Sequence, residues 1–517
     1  MPPGWDEHAD VVVVGFGGAG ACAAIEAARA GADVLVLDRF TGGGATAVSG
    51  GVVYAGGGTS VQRAAGVSDS SDAMFDYLSQ EVGDVVTPAT LCRFCAESAE
   101  MISWLTDVGV PFDPRVCPYK TSYPTNEFYL YYSGSENAWP FRSLAAPAPR
   151  GHRARGRGTS GKVLFAALAA AVRSAGARVR PFTAARELVV EDGRVVGVEC
   201  VSLSRGRLRH RLMHRFATKP GLYVPALARI LHRRIERLER RYGTPVRIRA
   251  RRGVVLAAGG FIGNRAMLRE HAPEFRGGLP LGTQGDDGSG IALGVAAGGR
   301  TDLMKTISAW RFLTPPSALL RGILVDESGE RFIDESSYGA AIGASLVTEH
   351  GGRAWLLVDE SIVASARQQL RTETLWFQRL QAEYLLHVAR VRGSTVAEVA
   401  AKAGVDPAGL TTTVEKYGRV DDEFGKHPDL VAPLAGPYSL IDFSYGPRLG
   451  YPCPMLTLGG LVVNEDTGAV PGVEGLYAAG RNAVGICSNS YVSGLSLADC
   501  VFSGRRAGTQ AAAREPG

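Results

Sequence analysis

The chain contains no apolar run near the ~20 residues that a membrane-spanning helix needs. Its longest runs, such as Ala166 to Val172, are far shorter, so no transmembrane helix is expected. The first ten residues are polar and acidic and lead straight into an apolar strand. An export signal would need a basic region and an apolar core there, so a cytoplasmic location is expected. Cysteine is scarce and dispersed, 8 in 517 residues, which excludes a disulfide framework. The one Cys-x-x-Cys, Cys92 and Cys95, has no partner pair and no nearby histidine. It reads as two small buried residues on one helix face, and no metal site is expected. With 45% hydrophobic and 21% charged residues, the chain has the composition of a globular protein with two or more domains.

A net charge of only +5 conceals a strong asymmetry. Residues 205–252 carry 16 Lys and Arg against two acids, Glu236 and Glu239, a balance of +14 that leaves −9 for everything else. Within this insert Leu227, Ile230, Leu231, Ile235, Leu238 and Tyr242 recur at three and four residue spacings. Arg229, Arg233, Arg237, Arg240 and Arg241 fall largely elsewhere around the turn, and Pro225 suits the first turn of a helix. A basic amphipathic helix over 222–242 is predicted. It either packs on the protein's own surface or makes peripheral contact with an anionic membrane. No motif supports nucleic-acid binding.

Glycine, by contrast, is plentiful, with 66 residues, and its placement is specific. Val11 to Val14 lead into Gly15-Phe16-Gly17-Gly18-Ala19-Gly20, an apolar helix from Ala21 to Ala30 and a strand from Asp33 to Leu37. That strand ends on Asp38, 18 residues beyond Gly20. This is the dinucleotide fingerprint in its proper setting: glycines permit the tight turn and bring amides to a pyrophosphate, and the acid binds a ribose hydroxyl. A second glycine-rich run, Gly42 to Gly51, follows at once, and Gly475-Leu476-Tyr477-Ala478-Ala479-Gly480-Arg481 is expected to bring a late strand back beside the first. Such a return is expected when a flavin lies across the whole domain. No second Gly-x-Gly-x-x-Gly follows a strand, so no NAD(P)H domain is expected and reducing equivalents leave to an external acceptor.

The fold class that follows is α/β, a Rossmann-like FAD-binding domain of the glutathione-reductase type with an inserted α+β cap. The first part of the FAD domain spans 1–304, the cap 305–447, and the return segment 448–517. Strands are predicted at Arg178 to Pro181, Ala185 to Glu191, Val195 to Leu203 and Val246 to Ala258, with a hairpin at Asp192-Gly193. Helices are predicted at Lys162 to Ala175, Ser361 to Gln369, Thr374 to Leu386, Thr395 to Ala403 and Leu495 to Ala513. Between Pro111 and Phe141 eight aromatic residues cluster, including Tyr119, Tyr123, Tyr131 and Trp139. They form either a wall for a flat apolar ligand or one packed face of a hairpin.

Gly15 to Gly20, Gly42 to Gly51, Gly285 to Gly288, Thr457-Leu458-Gly459-Gly460 and Gly475 to Arg481 resemble the flavoprotein class that includes fumarate reductases and 3-ketosteroid dehydrogenases. The resemblance spans nearly the whole chain except the basic insert. In finer detail, Ser49 to Thr59 and Ser488-Asn489-Ser490-Tyr491-Val492-Ser493-Gly494-Leu495-Ser496-Leu497-Ala498-Asp499 resemble 3-ketosteroid Δ4-(5α)-dehydrogenases. This implies oxidation of a 3-oxo-5α-steroid to the 4-ene, with Tyr338 from the cap and Tyr491 and Ser493 from the C-terminal loop as catalytic residues. Implied FAD contacts are Gly15, Gly17, Gly18, Ala19, Gly20, Asp38, Arg39, Ala45, Thr46, Ser49, Gly50 and Gly51. Later in the chain they are Ala185, Gly259, Gly260, Asp287, Gly480, Arg481, Ser496 and Leu497.

The chemistry has its own logic. Desaturation beside a ketone removes an α-proton to a base and passes the β-hydrogen as hydride to flavin N5. A hydroxyl donor to the C3 carbonyl stabilises the enolate. Tyr491 is the expected donor, with Tyr338, relayed through Ser493, taking the C4 proton, and the sequence leaves open the reverse assignment of donor and base. A free tyrosine has a pKa of ~10, so the N-terminus of the final helix beside Ser493 and Gly494 is expected to lower nearby hydroxyl pKa values. Residues 39–60 contain no histidine for covalent attachment, so dissociable FAD is expected. The region from Leu303 to Trp310 has no histidine to hold a dicarboxylate, which disfavours fumarate. Δ1-dehydrogenation is the nearest alternative, and a membrane-surface flavoprotein for electron delivery is the alternative of another class.

Overall fold

The computed structural model describes residues 4–275, 277–418, 421–446 and 450–515, and of residues 220, 222 and 225 the backbone alone. The expected domain boundary at 447/448 lies outside the described residues. The apolar run near the start forms β1 (Glu7–Val14), fully buried from Val11 onward. It pairs in parallel with β2 (Val34–Asp38) through Val11↔Val34 to Val14↔Leu37. Between them the turn into the helix Gly18–Arg29 demands glycine twice. Gly15 has φ of 105°, and a Cβ on it would lie 2.5 Å from the Ala257 carbonyl oxygen. A Cβ on Gly20 would lie 1.9 Å from the Gly15 carbonyl oxygen, so the helix can press directly on the strand end.

Three short strands, β3 (Val52–Tyr54), β4 (Leu130–Tyr131) and β5 (Gly151–Arg153), form a separate antiparallel sheet in the order β3-β5-β4. Four more join the main sheet: β6 (Arg178–Pro181), β7 (Thr183–Glu191), β8 (Arg194–Leu203) and β9 (Gly243–Leu256). Its order is β6-β2-β1-β9-β8-β7. Asp192 and Gly193, both at positive φ, close the β7–β8 hairpin as a two-residue turn requires. The late strand Leu476–Ala478 returns to this sheet but not beside the first strand, as the sequence suggested. It pairs with β9 through Leu476↔Val254. The reason is length: β9 has 14 residues, so one edge runs along β1 while the other takes β8 at its start and the return strand at its end.

A second antiparallel sheet joins Ile323–Val325, Trp355–Asp359, Tyr438–Asp442 and Arg390–Gly393. Alternation places Leu324, Leu356 and Ile441 in one apolar core and Ile323, Leu357 and Leu440 in another. Ile307–Ala309 lies antiparallel to Pro454–Thr457, so the chain leaves for and returns from this sheet side by side.

Residues 205–242 form a helical hairpin, Arg207–Tyr223 followed by Pro225–Tyr242, docked on the main sheet. Ile235 and Leu238 are buried with Met213, Phe40 and Leu203, and Leu231 and Tyr242 pack partly against them. The apolar face of the second helix is therefore largely covered by protein, while Ile230 stays exposed. Cys92 and Cys95 need a correction. Cys95 is buried on the helix Pro88–Ala96, whereas Cys92 is exposed. Among the described residues no group of three or more potential ligands that could hold a metal is found, and no helix is long and apolar enough to cross a membrane.

Candidate active site

Three segments far apart in sequence meet at the edge of the small β3-β5-β4 sheet. Ser493 N–H donates to the Ser133 carbonyl at 3.0 Å, and the Ser133 hydroxyl donates back to the Ser493 carbonyl at 3.0 Å. Tyr54 N–H holds the Gly494 carbonyl at 3.1 Å. From the other half of the molecule, Tyr338 N–H donates to Ser135 Oγ at 3.0 Å. The stretch running out of β4 thus positions both the C-terminal loop and the residue that opens the helix Gly339–Thr348.

On this frame the structure brings Tyr338, Tyr491 and Ser493 together. The rings of Tyr338 and Tyr491 lie 6.3 Å apart. Trp310 stacks on Tyr491 at 5.0 Å with an interplanar angle of 21°, and Phe312 meets Tyr338 edge-on at 5.3 Å. A fourth hydroxyl belongs to Tyr131, which the sequence placed in the aromatic cluster but not among the catalytic residues: its Oη lies 2.9 Å from Ser493 Oγ. Tyr131 and Tyr338 are buried, while Tyr491 and Ser493 keep partial exposure. The remaining aromatic residues of the Pro111–Phe141 region divide. Tyr119, Tyr123 and Phe128 pack around Val52, Cys117 and Tyr131, and Trp139 is exposed.

Lowered hydroxyl pKa values were expected here, and the structure overturns that. Burial pushes Tyr338 well above the ordinary phenol value, reinforced by Tyr491 and Tyr131, with the Ser493 hydroxyl opposing the rise. Burial likewise raises Tyr491 and Tyr131. Loss of water around a phenolate outweighs the helix terminus, so the protonated form of all three phenols predominates at neutral pH.

The fingerprint loop forms the other end of the site. Asp38 accepts from the Phe16, Phe40 and Gly42 amides at 3.0, 2.8 and 3.1 Å, which takes three of about four acceptor positions. Thr46 Oγ1 accepts from Gly18 N–H at 2.9 Å, and Ser49 Oγ bridges Thr46 and Gly51. Ala45 precedes Thr46 in the short helix Gly44–Val48. Gly50 is held by the Tyr123 hydroxyl at 2.7 Å. Ala185 lies in β7 opposite Cys200, and Gly259 and Gly260 turn the chain beyond β9. Arg39 grips Glu239 with two nitrogens, at 2.9 and 3.0 Å, and reaches Asp287 at 2.9 Å. Arg481, just past Gly480, pairs at 2.6 Å with Asp286, the neighbour of the acid that the sequence pointed to.

Several donors here fit a dinucleotide. Arg481 Nη1 and Asn482 Nδ2 are buried without a hydrogen-bond partner. The helices Gly18–Arg29 and Leu495–Ala513 both begin after a glycine with no side-chain cap. Their first-turn amides, among them Ala19, Ser496 and Leu497, lack intrahelical partners and suit an anion.

Comparison with known proteins decides the identity of that dinucleotide. The FAD binding domain family model matches residues 10–495. The chain belongs to this family. A 3-oxo-5-alpha-steroid 4-dehydrogenase of Comamonas testosteroni is 39% identical to this flavoprotein over 499 residues, 92% of this chain and 93% of the relative. A 3-oxosteroid 1-dehydrogenase of Mycobacterium tuberculosis (strain ATCC 25618 / H37Rv) is 27% identical over 557 residues, 93% and 94% of the two chains. The crystal structure of the 3-ketosteroid-delta4-(5alpha)-dehydrogenase of Rhodococcus jostii RHA1, in complex with 4-androstene-3,17-dione, matches the flavoprotein with a TM-score of 0.84. The two chains are 33% identical, and the match covers 99% of each.

Proposed function

We propose that this flavoprotein dehydrogenates 3-oxo-5α-steroids to 3-oxo-Δ4-steroids, with Tyr338, Tyr491 and Ser493 as catalytic residues and dissociable FAD as cofactor. The observation that carries the reading is the meeting of these three hydroxyls against the stacked Trp310. A flat apolar ketone fits that wall, and a dicarboxylate does not. The adjacent Arg311 is buried and its Nη1 and Nη2 donate to the Tyr451 and Ser444 carbonyls at 3.0 and 2.7 Å.

Tyr491 Oη donates to the C3 carbonyl oxygen and stabilises the negative charge that develops there. In the molecules that hold Tyr338 as its phenolate, Ser493 Oγ takes the C4 proton while passing its own to Tyr338 Oη, which becomes the neutral phenol. The C4–H electron pair becomes the C4=C5 π bond. Bound FAD supplies the acceptor for the hydride that leaves C5. Tyr131, hydrogen-bonded to Ser493, fixes the serine rotamer. The cofactor rests on the amides and buried nitrogens described above, and the absence of histidine from 39–60 supports non-covalent binding. Reducing equivalents then pass to an external acceptor.

The test is anaerobic stopped-flow bleaching of the flavin with 5α-androstane-3,17-dione and, in parallel, 4-androstene-3,17-dione. Bleaching by the first alone, with a 4-ene product by mass and NMR, is expected. Bleaching by the second would indicate Δ1 chemistry, and none by either would point to another ketone or to electron delivery without steroid turnover.

A further inference from the structure

The helical hairpin of the insert buries one side and leaves the other strangely apolar for a solvent-facing surface. On its first helix Leu208, Leu212 and Phe216 recur every four residues and are 71%, 45% and 53% exposed. Tyr223, Val224 and Ile230, at and just beyond the turn between the helices, are exposed as well. Four-residue spacing puts the first three on one helix face. Arg209, Arg211, Arg215 and Lys219 stand exposed around that stripe, with Arg233 and Arg237 exposed on the second helix. Both acids of the segment are already engaged. Glu239 is turned inward onto Arg39, Arg186 and His210, and Glu236 lies 3.1 Å from His232.

We propose that this hairpin docks the protein on the surface of an anionic phospholipid bilayer, with Leu208, Leu212 and Phe216 entering the headgroup boundary and the surrounding arginines pairing with lipid phosphates. Charge complementarity selects the occupant. The hairpin, residues 205–242, carries 12 Lys and Arg against two acids, a balance of +10, and the rest of the chain −5, so an anionic plane attracts this end, repels the remainder and fixes the orientation. Nucleic acid would use the arginines but leave the Leu and Phe stripe in water. A membrane surface satisfies both. Neither helix is apolar enough to span a bilayer, so the hairpin lies in the interfacial plane. The docking deepens the function proposed above, because a ring-saturated ketosteroid partitions into the same lipid phase, yet its test requires no steroid.

The holoenzyme is to be sedimented with vesicles of phosphatidylcholine alone and with vesicles containing phosphatidylglycerol, at low and high salt. Expected are binding to the anionic vesicles only, its loss at high salt, and a drop on the order of tenfold or more in the variant L208S/L212S/F216S. The variant's flavin absorbance reports that the fold is retained. As a second measure, Phe216→Trp should show blue-shifted emission on adding anionic vesicles and no shift with neutral ones. Failure of the wild-type protein to bind anionic vesicles, or equal binding by the triple variant, overturns the proposal. So does tight binding to duplex DNA without binding to vesicles, or a concentration-dependent dimer, without vesicle binding, that the triple variant abolishes, which would assign the face to a second copy of this chain.

Discussion

Ser493 stands where three phenols converge, bonded to Tyr131 and close enough to Tyr338 to moderate its acidity. Replacing Tyr491 with Phe removes the proposed carbonyl donor and is expected to slow flavin reduction by about 10²–10³-fold, the usual cost of one such donor. FAD absorbance stays unchanged, and stopped-flow bleaching reads the loss. The elevated phenol of Tyr338 sets a pH dependence of definite sign. In the proposed reaction its phenolate is the proton acceptor, and below a raised pKa the phenolate fraction grows about tenfold per pH unit. The reduction rate should therefore climb from neutral into alkaline pH, and that slope should vanish in Tyr338→Phe. Tyr131→Phe leaves both the carbonyl donor and the proton acceptor in place but frees the serine. A fall in rate on the order of tenfold with the pH slope retained is expected, and an unchanged rate would remove Tyr131 from the site. The sequence did not place Tyr131 among the catalytic residues because 362 positions separate it from Ser493. In a stretch crowded with aromatic residues, nothing local distinguishes the one that faces the serine.

At the scale of elements, β5 and the insert each carry a histidine whose charge the fold suppresses. His152 lies in β5, its Nδ1–H on the Arg150 carbonyl at 2.9 Å and its Nε2 on the Thr59 hydroxyl at 2.8 Å. Burial holds its pKa at about 4. His214, stacked on Phe40 at 3.7 Å, is held by burial at about 3. In the unfolded chain both protonate near pH 6.5, so only the unfolded state takes up protons as pH falls from there toward 4. Stability is complete above pH 6.5 and is lost on acidification, by about 3 kcal/mol for His152 at pH 4. Urea unfolding at a series of pH values should show this slope, and His152→Gln should flatten it. Glu239 acts at lower pH. Burial raises it, but His210 and Arg39 outweigh that and hold it at about 2, so the insert loosens as pH falls from 4.5 toward 2. The second insert helix was legible from its three and four residue spacing. That its apolar face turns toward Phe40, leaving the first helix to expose Leu208, Leu212 and Phe216, was not, because both helices carry such a face and only docking selects which one is covered.

At the scale of the whole molecule, cofactor and fold are linked. The residues proposed to hold FAD lie in the fingerprint loop, the terminal helix and the Gly480 turn, so its binding would require all three to be assembled. Added at 100-fold over its Kd, FAD should stabilise the protein by about 2.7 kcal/mol, visible as a rise in Tm. Acid precipitation should leave the flavin in the supernatant, and flavin retained in the pellet would overturn non-covalent binding. By itself, the sequence determined what rests on neighbours along the chain: β1 and its glycine turn, the β7–β8 hairpin, the terminal helix and the family of the flavoprotein. Their signals are periodicity and the backbone freedom of glycine, both readable over a few residues. Tertiary structure alone decided which strand receives Leu476–Ala478, which acid meets Arg481, and that Tyr131 joins Ser493. It also reversed the expected acidity of the hydroxyls, because desolvation depends on everything packed around a group, and that packing is set by chain segments hundreds of residues away.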